Sequence, residues 1–218
     1  MSGGWLIAII STLFHPSGSE DDHVVVFAQY AESGSWVAVH LAQFVGVLLA
    51  LSGLVVLYRF LRAAGSPSLV AHLAFGATVA TAAVWAVLQG LDGVGLKQAV
   101  DAWASASGAE KEIRFANAEN VRWLEWGFQS YFRLLLGLTF LLFGAAIVAS
   151  RLIAGWLGWA AVLAGVISLL IGVDVGYSGL ASALQDLLGI PFLVVGLAFA
   201  VGVLATGLRE GGRRTTPT

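Results

Sequence analysis

Residues 124–149 read LEWGFQSYFRLLLGLTFLLFGAAIVA, a run with only two charged side chains, Glu125 and Arg133. A helix needs about 20 mainly apolar residues to cross a hydrocarbon core of about 30 Å, so this run predicts a transmembrane helix. Four other stretches have the same character: Trp36 to Tyr58, Leu69 to Leu91, Ile153 to Gly176 and Leu187 to Leu208. A sixth, Trp5 to Phe14, is shorter; counted from Met1 to His15 it reaches about 22 Å as a helix. Nothing basic precedes it, and His15-Pro16-Ser17-Gly18 offers no small-x-small cleavage site, which argues against a signal peptide. Composition points the same way. The 218 residues are 58% hydrophobic and 11% charged, with mean hydropathy +0.87, whereas soluble domains carry about 25% charged residues. So few charges cannot cover a water-soluble body of this size. The absence of cysteine excludes a disulfide framework, a thiolate metal site and a cysteine nucleophile.

Charge placement sets the orientation. Arg59, Arg62, Arg151, Arg209, Arg213 and Arg214 lie in the tight connections and the tail, which marks those as cytoplasmic. The other side holds eleven acids, among them Glu20, Asp21, Asp22, Asp92, Asp174 and Asp186, against Lys97, Lys111, Arg114 and Arg122. With the tail inside, six spans also put the amino terminus inside. The expected architecture is an all-α integral membrane protein: a six-helix transmembrane bundle with two longer extracytoplasmic loops that contain short amphipathic helices. Residues 1–208 form the single membrane domain and 209–218 a basic cytoplasmic tail.

The first long loop, His15 to Ser35, has a helix start at Ser19-Glu20-Asp21-Asp22, followed by an apolar run through Phe27 and Tyr30. The second, Asp92 to Trp123, has capping-box spacing at Ser107-Gly108-Ala109-Glu110. Its next helix presents Ile113, Ala116, Asn120, Val121 and Leu124 on one face, and either continues into the following span or breaks near Asn117 to Asn120. Small residues recur every seven positions at Gly137 and Gly144, at Gly158, Gly165 and Gly172, and at Gly189 and Gly196. In lipid, helices associate by close packing, so these seams predict a tight antiparallel unit of the last three spans.

Polar residues inside spans are expensive and carry the most information about function. At 100° per residue they align into stripes: Trp36, His40, Gln43 and Val47; Thr78, Thr81, Trp85, Gln89 and Asp92; Arg122, Glu125, Gln129 and Arg133. The stripes lie toward the outer half and predict an inward-facing cluster or a cavity open to the extracytoplasmic side. Arg133 is too deep to snorkel outward and calls for an acid or a bound anion. Glu125 through Gln129, Asp92 and Asp174 are its candidate partners. The competing structural interpretation is bundle glue, with interhelical bonds that contribute about 0.6 to 2 kcal/mol each.

His40, Gln43, Gln89, Glu125, Gln129 and Arg133 are the candidate ligand-binding residues, for a small polar or anionic ligand or a lipid headgroup. His15, His40 and Glu125 are an alternative set, two imidazoles and a carboxylate suited to zinc, iron or copper in a metal-dependent enzyme. No HExxH or ExxH spacing supports it. Haem is disfavoured because His40 and His72 fall in opposite leaflets, and retinal because Lys97 and Lys111 are both in the outer loop. Ser52 and Ser130 have no histidine base at their depth. A small-solute transporter is the weakest alternative, for there is no repeat between halves and little polar lining below Arg133 apart from Thr78, Thr81 and Thr139. Expected partners are the lipid bilayer and such a ligand, with homo-oligomers left open and no nucleic acid.

Phe14-His15-Pro16-Ser17-Gly18, then Trp36-Val37-Ala38-Val39-His40-Leu41 with Leu57-Tyr58-Arg59, resembles small multipass membrane proteins of bacteria and archaea that have no characterised activity. So do Ala102-Trp103-Ala104, Val121-Arg122-Trp123-Leu124-Glu125 and the Gly137 to Gly144 run. The resemblance covers most of the chain. It implies a prokaryotic plasma-membrane protein and transfers neither activity nor cofactor.

Overall fold

The computed structural model describes residues 1–16, 22–63 and 69–214, with side chains described as far as residue 207. Helices α1 (Ser2–Thr12), α2 (His23–Glu32), α3 (Trp36–Ala63) and α4 (Leu69–Gly90) are followed by a π turn, Leu91–Leu96, that leads without a break into α5 (Lys97–Ser105). Helices α6 (Gly108–Ser150), α7 (Gly155–Ser178) and α8 (Ala183–Arg214) complete the chain, and no strand occurs among the described residues. Five rods are long and apolar enough to cross a membrane: α3, α4 with its extension to Ser105, α6, α7 and α8.

The sixth apolar segment is a half-length helix. The 11 residues of α1 rise about 16 Å, roughly half a hydrocarbon core. It lies antiparallel on α3, with Met1 against Gly53, Gly4 against Gly46 and Ala50, and Gln43 Nε2 donating to Thr12 Oγ1 at 3.0 Å. Gly4 of α1 and Gly46 of α3 let the two backbones touch.

Two of the three expected glycine seams interlock. A Cβ on Gly165 would lie 2.8 Å from the Gly137 carbonyl oxygen, and one on Gly144 2.6 Å from that of Gly158. Ser130 Oγ donates to the Gly172 carbonyl at 2.7 Å and Ser168 Oγ to that of Arg133 at 2.8 Å, which fixes the antiparallel register of α6 and α7. The third seam is absent: Gly189 and Gly196 have no atom within 4 Å of where a Cβ would be. Helix α8 packs instead through buried Phe199 and Ala200 and through Gly202, beneath Trp156 and Leu157.

The second expected loop is not a loop. Helix α6 runs unbroken for 43 residues, about 65 Å, and α5 continues α4, so two of the long rods extend side by side through the stretch expected to be a loop. Ser107 does precede α6, but its side chain makes no cap bond. Helix α2 begins one residue after Asp22, whose carboxylate accepts from the Val25 amide at 3.2 Å; Ser19 to Asp21 lie outside the described residues. Val26, Phe27, Tyr30, Trp36, Leu96, Val100 and Ala118 form a separate outer core between α2, α5 and α6. Within it α6 buries Ala118 and Arg122 and half-buries Phe115 and, from the expected face, Val121, while Ile113, Ala116, Asn120 and Leu124 are exposed. The inner polar stripe simply continues upward, so the face expected from the apolar residues, Val121 apart, is the outer one.

Candidate functional site

All three polar stripes turn inward, and they meet where α1, α3, α4 and α6 face the start of α8. Thr81 and Thr139 are fully buried and share a hydroxyl contact of 3.0 Å, and Thr78 and Thr81 also donate to carbonyls one turn back. These deeper groups satisfy one another and serve as glue. The groups above them line a cavity of about 730 Å³ that extends from His15 and Asp92 down to Arg133 and Leu136.

At the outer end the π turn positions Asp92. One extra residue per turn rotates the downstream helix, and such turns often occur at functional sites. Gly93 lies directly on His40, where a Cβ would come within 2.6 Å of that of His40. The indole of Trp36 donates to the Asp92 carbonyl at 3.0 Å. His40, 2% exposed, donates from Nδ1 to the Trp36 carbonyl at 2.8 Å, and its Nε2 stands 3.0 Å from Asp92 Oδ2. His15 donates from Nδ1 to the Pro16 carbonyl at 2.9 Å, and its ring sits 4.8 Å from that of Trp36 and 5.2 Å from that of His40. Burial holds the His15 imidazole below its ordinary pKa, so the neutral form is favoured.

Glu125 does not join the histidines. Arg122, three residues earlier and therefore adjacent on the helix, donates from Nη1 to Glu125 Oε2 at 2.7 Å, with both side chains buried. The Arg122 guanidinium also lies over the rings of Tyr30 and Trp126 at 5.7 and 5.9 Å. Asp92 thus occupies the carboxylate place beside His15 and His40 that depth along the spans suggests for Glu125.

Arg133 reaches none of its expected partners. Glu125 is engaged by Arg122, Asp92 by His40, and Asp174 by Ser182 and by Gln185 Nε2 at 3.0 Å. Among the described residues Arg133 forms no ion pair; its guanidinium lies 5.2 Å over Phe192, and its buried Nε has no hydrogen-bond partner. Gln89, whose buried Oε1 also has no partner, and Gln129 share the cavity wall with it. Gln43 is at the edge, on Thr12. His23 is buried, paired with Glu119 Oε1 at 2.8 Å and stacked on Phe27. His72 is remote, edge-on to Tyr58.

Sequence periodicity missed the α8 wall. Gly189 and Phe192 line the cavity together with Ile9 and Leu13 of α1, and a narrow apolar groove continues from it between Trp5, Ile9, Leu193 and Gly196. The unpacked glycines of α8 lie along this opening. No protein-family model, curated protein or solved structure matches the chain.

Proposed function

We propose that this is a non-catalytic binding or accessory protein of a prokaryotic plasma membrane, with six segments in the bilayer and both termini cytoplasmic, whose cavity holds an amphiphile with an anionic headgroup. Arg133 carries this proposal. A half-buried guanidinium at the depth of the spans, with its Nε buried and no carboxylate partner among the described residues, is costly, and a bound anion supplies the missing charge. Gln129 and Gln89 add amide groups for headgroup oxygens, and the apolar seam between α1 and α8, lined by Trp5, Ile9, Leu193 and Gly196, is the side on which an acyl chain would meet the bilayer once the two helices part. Glu125, neutralised by Arg122, adds no net repulsion.

Native mass spectrometry of protein incubated with phosphatidylglycerol or with phosphatidylcholine of the same chains tests the proposal. Wild type is expected to retain phosphatidylglycerol at least tenfold more than phosphatidylcholine, and Arg133→Leu to lose that preference while Arg133→Lys keeps part of it. Equal retention of both lipids by wild type and Arg133→Leu sinks the proposal. Inorganic phosphate as competitor distinguishes a free-anion site from one that also needs the chains. The topology has a separate check: cysteines placed at Ser19 and at exposed Ser107 are expected to react with an impermeant maleimide from outside, and one at Ser66 is not.

A further inference from the structure

We propose that His15, His40 and Asp92 form a site for one divalent transition-metal ion of the zinc type, with its open coordination positions facing the cavity. One ligand-capable atom from each residue lies within 4.8 Å of the other two. Proximity alone is weak, since a histidine beside an aspartate is commonly just a hydrogen-bonded pair. Three further observations favour a metal.

The first is tautomeric. A carbonyl oxygen only accepts, so the bonds from Nδ1 of His15 to Pro16 and from Nδ1 of His40 to Trp36 place a proton on Nδ1 of both rings. When Nε2 carries no second proton, each ring presents a lone pair there, the form that binds metal, held by the backbone-carbonyl bond that metal-ligating histidines often make. The second is the contact between His40 Nε2 and Asp92 Oδ2 at 3.0 Å, which sets lone pair against lone pair unless a cation or a proton lies between them. Zinc-to-nitrogen and zinc-to-oxygen bonds of about 2.0–2.2 Å span that separation at an angle near 90°. The third is Asp92 Oδ1, buried and without a hydrogen-bond partner, which leaves a second carboxylate oxygen available to the ion.

His15 completes the set from the non-helical stretch after α1. The three ligand-capable atoms lie within 4.8 Å of one another, against about 3.4 Å for the edge of a zinc tetrahedron, so binding tightens the set, and the position of His15 outside a helix lets its ring move inward. Two imidazoles and one carboxylate suit zinc or ferrous iron; magnesium and calcium prefer all-oxygen sites. Three protein ligands leave at least one position open, and His15 and Asp92 both line the cavity.

Protein purified in detergent and stripped with EDTA is titrated with zinc chloride and, separately, with magnesium chloride. Wild type is expected to bind one zinc per chain with a raised melting temperature, and no magnesium. Asp92→Asn and His15→Ala are each expected to weaken zinc binding by about 100-fold, at least the effect of losing an outer-shell partner. Replacing His40 removes a buried side chain and puts folding itself at risk, so His15→Ala, outside any helix, is the decisive variant. Cobalt substitution adds a readout independent of stability: visible absorption bands present in wild type and absent in His15→Ala. Folded wild type that binds less than a tenth of an equivalent of zinc overturns the site, as does undiminished binding by Asp92→Asn and His15→Ala; the first result identifies a proton-bridged pair. Arg133→Leu is expected to bind zinc normally, which separates this site from the anion cavity.

Discussion

Arg122→Met is expected to destabilise the protein by about 3–5 kcal/mol, the usual consequence of leaving one member of a buried ion pair without its counter-charge. Arg122 and Glu125 are 2% and 6% exposed at the side chain, and the guanidinium also covers Tyr30 and Trp126. Removing it takes the guanidinium away from a buried carboxylate and opens space between the outer core and the bundle. The double variant Arg122→Met/Glu125→Leu is expected to recover most of the loss, because well-packed apolar replacements of a buried pair are often neutral. Arg122→Lys should fall between, as it keeps the charge but loses the planar fork. Chemical unfolding in detergent micelles measures all three. Equal stability of the single and double variants would show that volume, not charge, governs this position.

The second large effect is expected at the α6–α7 crossing. Gly165→Leu drives a side chain into the Gly137 carbonyl and the Leu141 backbone, and neither can rotate away as a flexible side chain would. Overpacking of a close-packed core costs about 1–3 kcal/mol, and more where backbone is the obstacle, so a loss of at least about 3 kcal/mol is expected. Gly196→Ala is the contrast. It belongs to the same seven-residue pattern but has nothing within 4 Å, so the substitution is expected to stabilise α8 by roughly 0.5–1 kcal/mol through backbone entropy alone. Gly165→Ala is expected to destabilise, since its Cβ alone meets the Gly137 carbonyl at 2.8 Å, and an equal response of Gly165→Ala and Gly196→Ala would contradict the difference in packing between the two positions.

These contrasts show how much of the structure is legible in the residues. Apolar length alone locates the five long rods, because a spanning helix must satisfy its backbone internally and so leaves an uninterrupted signature. The helical wheel also puts His40, Gln89, Glu125 and Arg133 on inward faces. A wheel does not show what stands opposite. Gly189 and Gly196 repeat as regularly as Gly137 and Gly144, yet they face open space because α8 meets α7 lower down, at Gly202. The choice between Glu125 and Asp92 beside the histidines depends on two local facts. Arg122 is within reach of Glu125 on the same helix, and the winding changes at Leu91–Leu96, where a fixed 100° step no longer applies. Gly93 and Gly95 are the available clue to that change. The burial of His23 depends on Glu119, 96 positions away, and no local pattern encodes that.

The continuity of α6 has a mechanical consequence. A helix of 43 residues with no proline is a stiff strut that ties the outer core rigidly to the turn at Arg151 at its far end. Its neighbour, from Leu69 to Ser105, contains a short length wound at another pitch, and irregular winding is where a long helix yields. Torque applied to the outer core is therefore borne by α6 and relieved in Leu91–Leu96, so the compliant point of the assembly is the turn that carries Asp92.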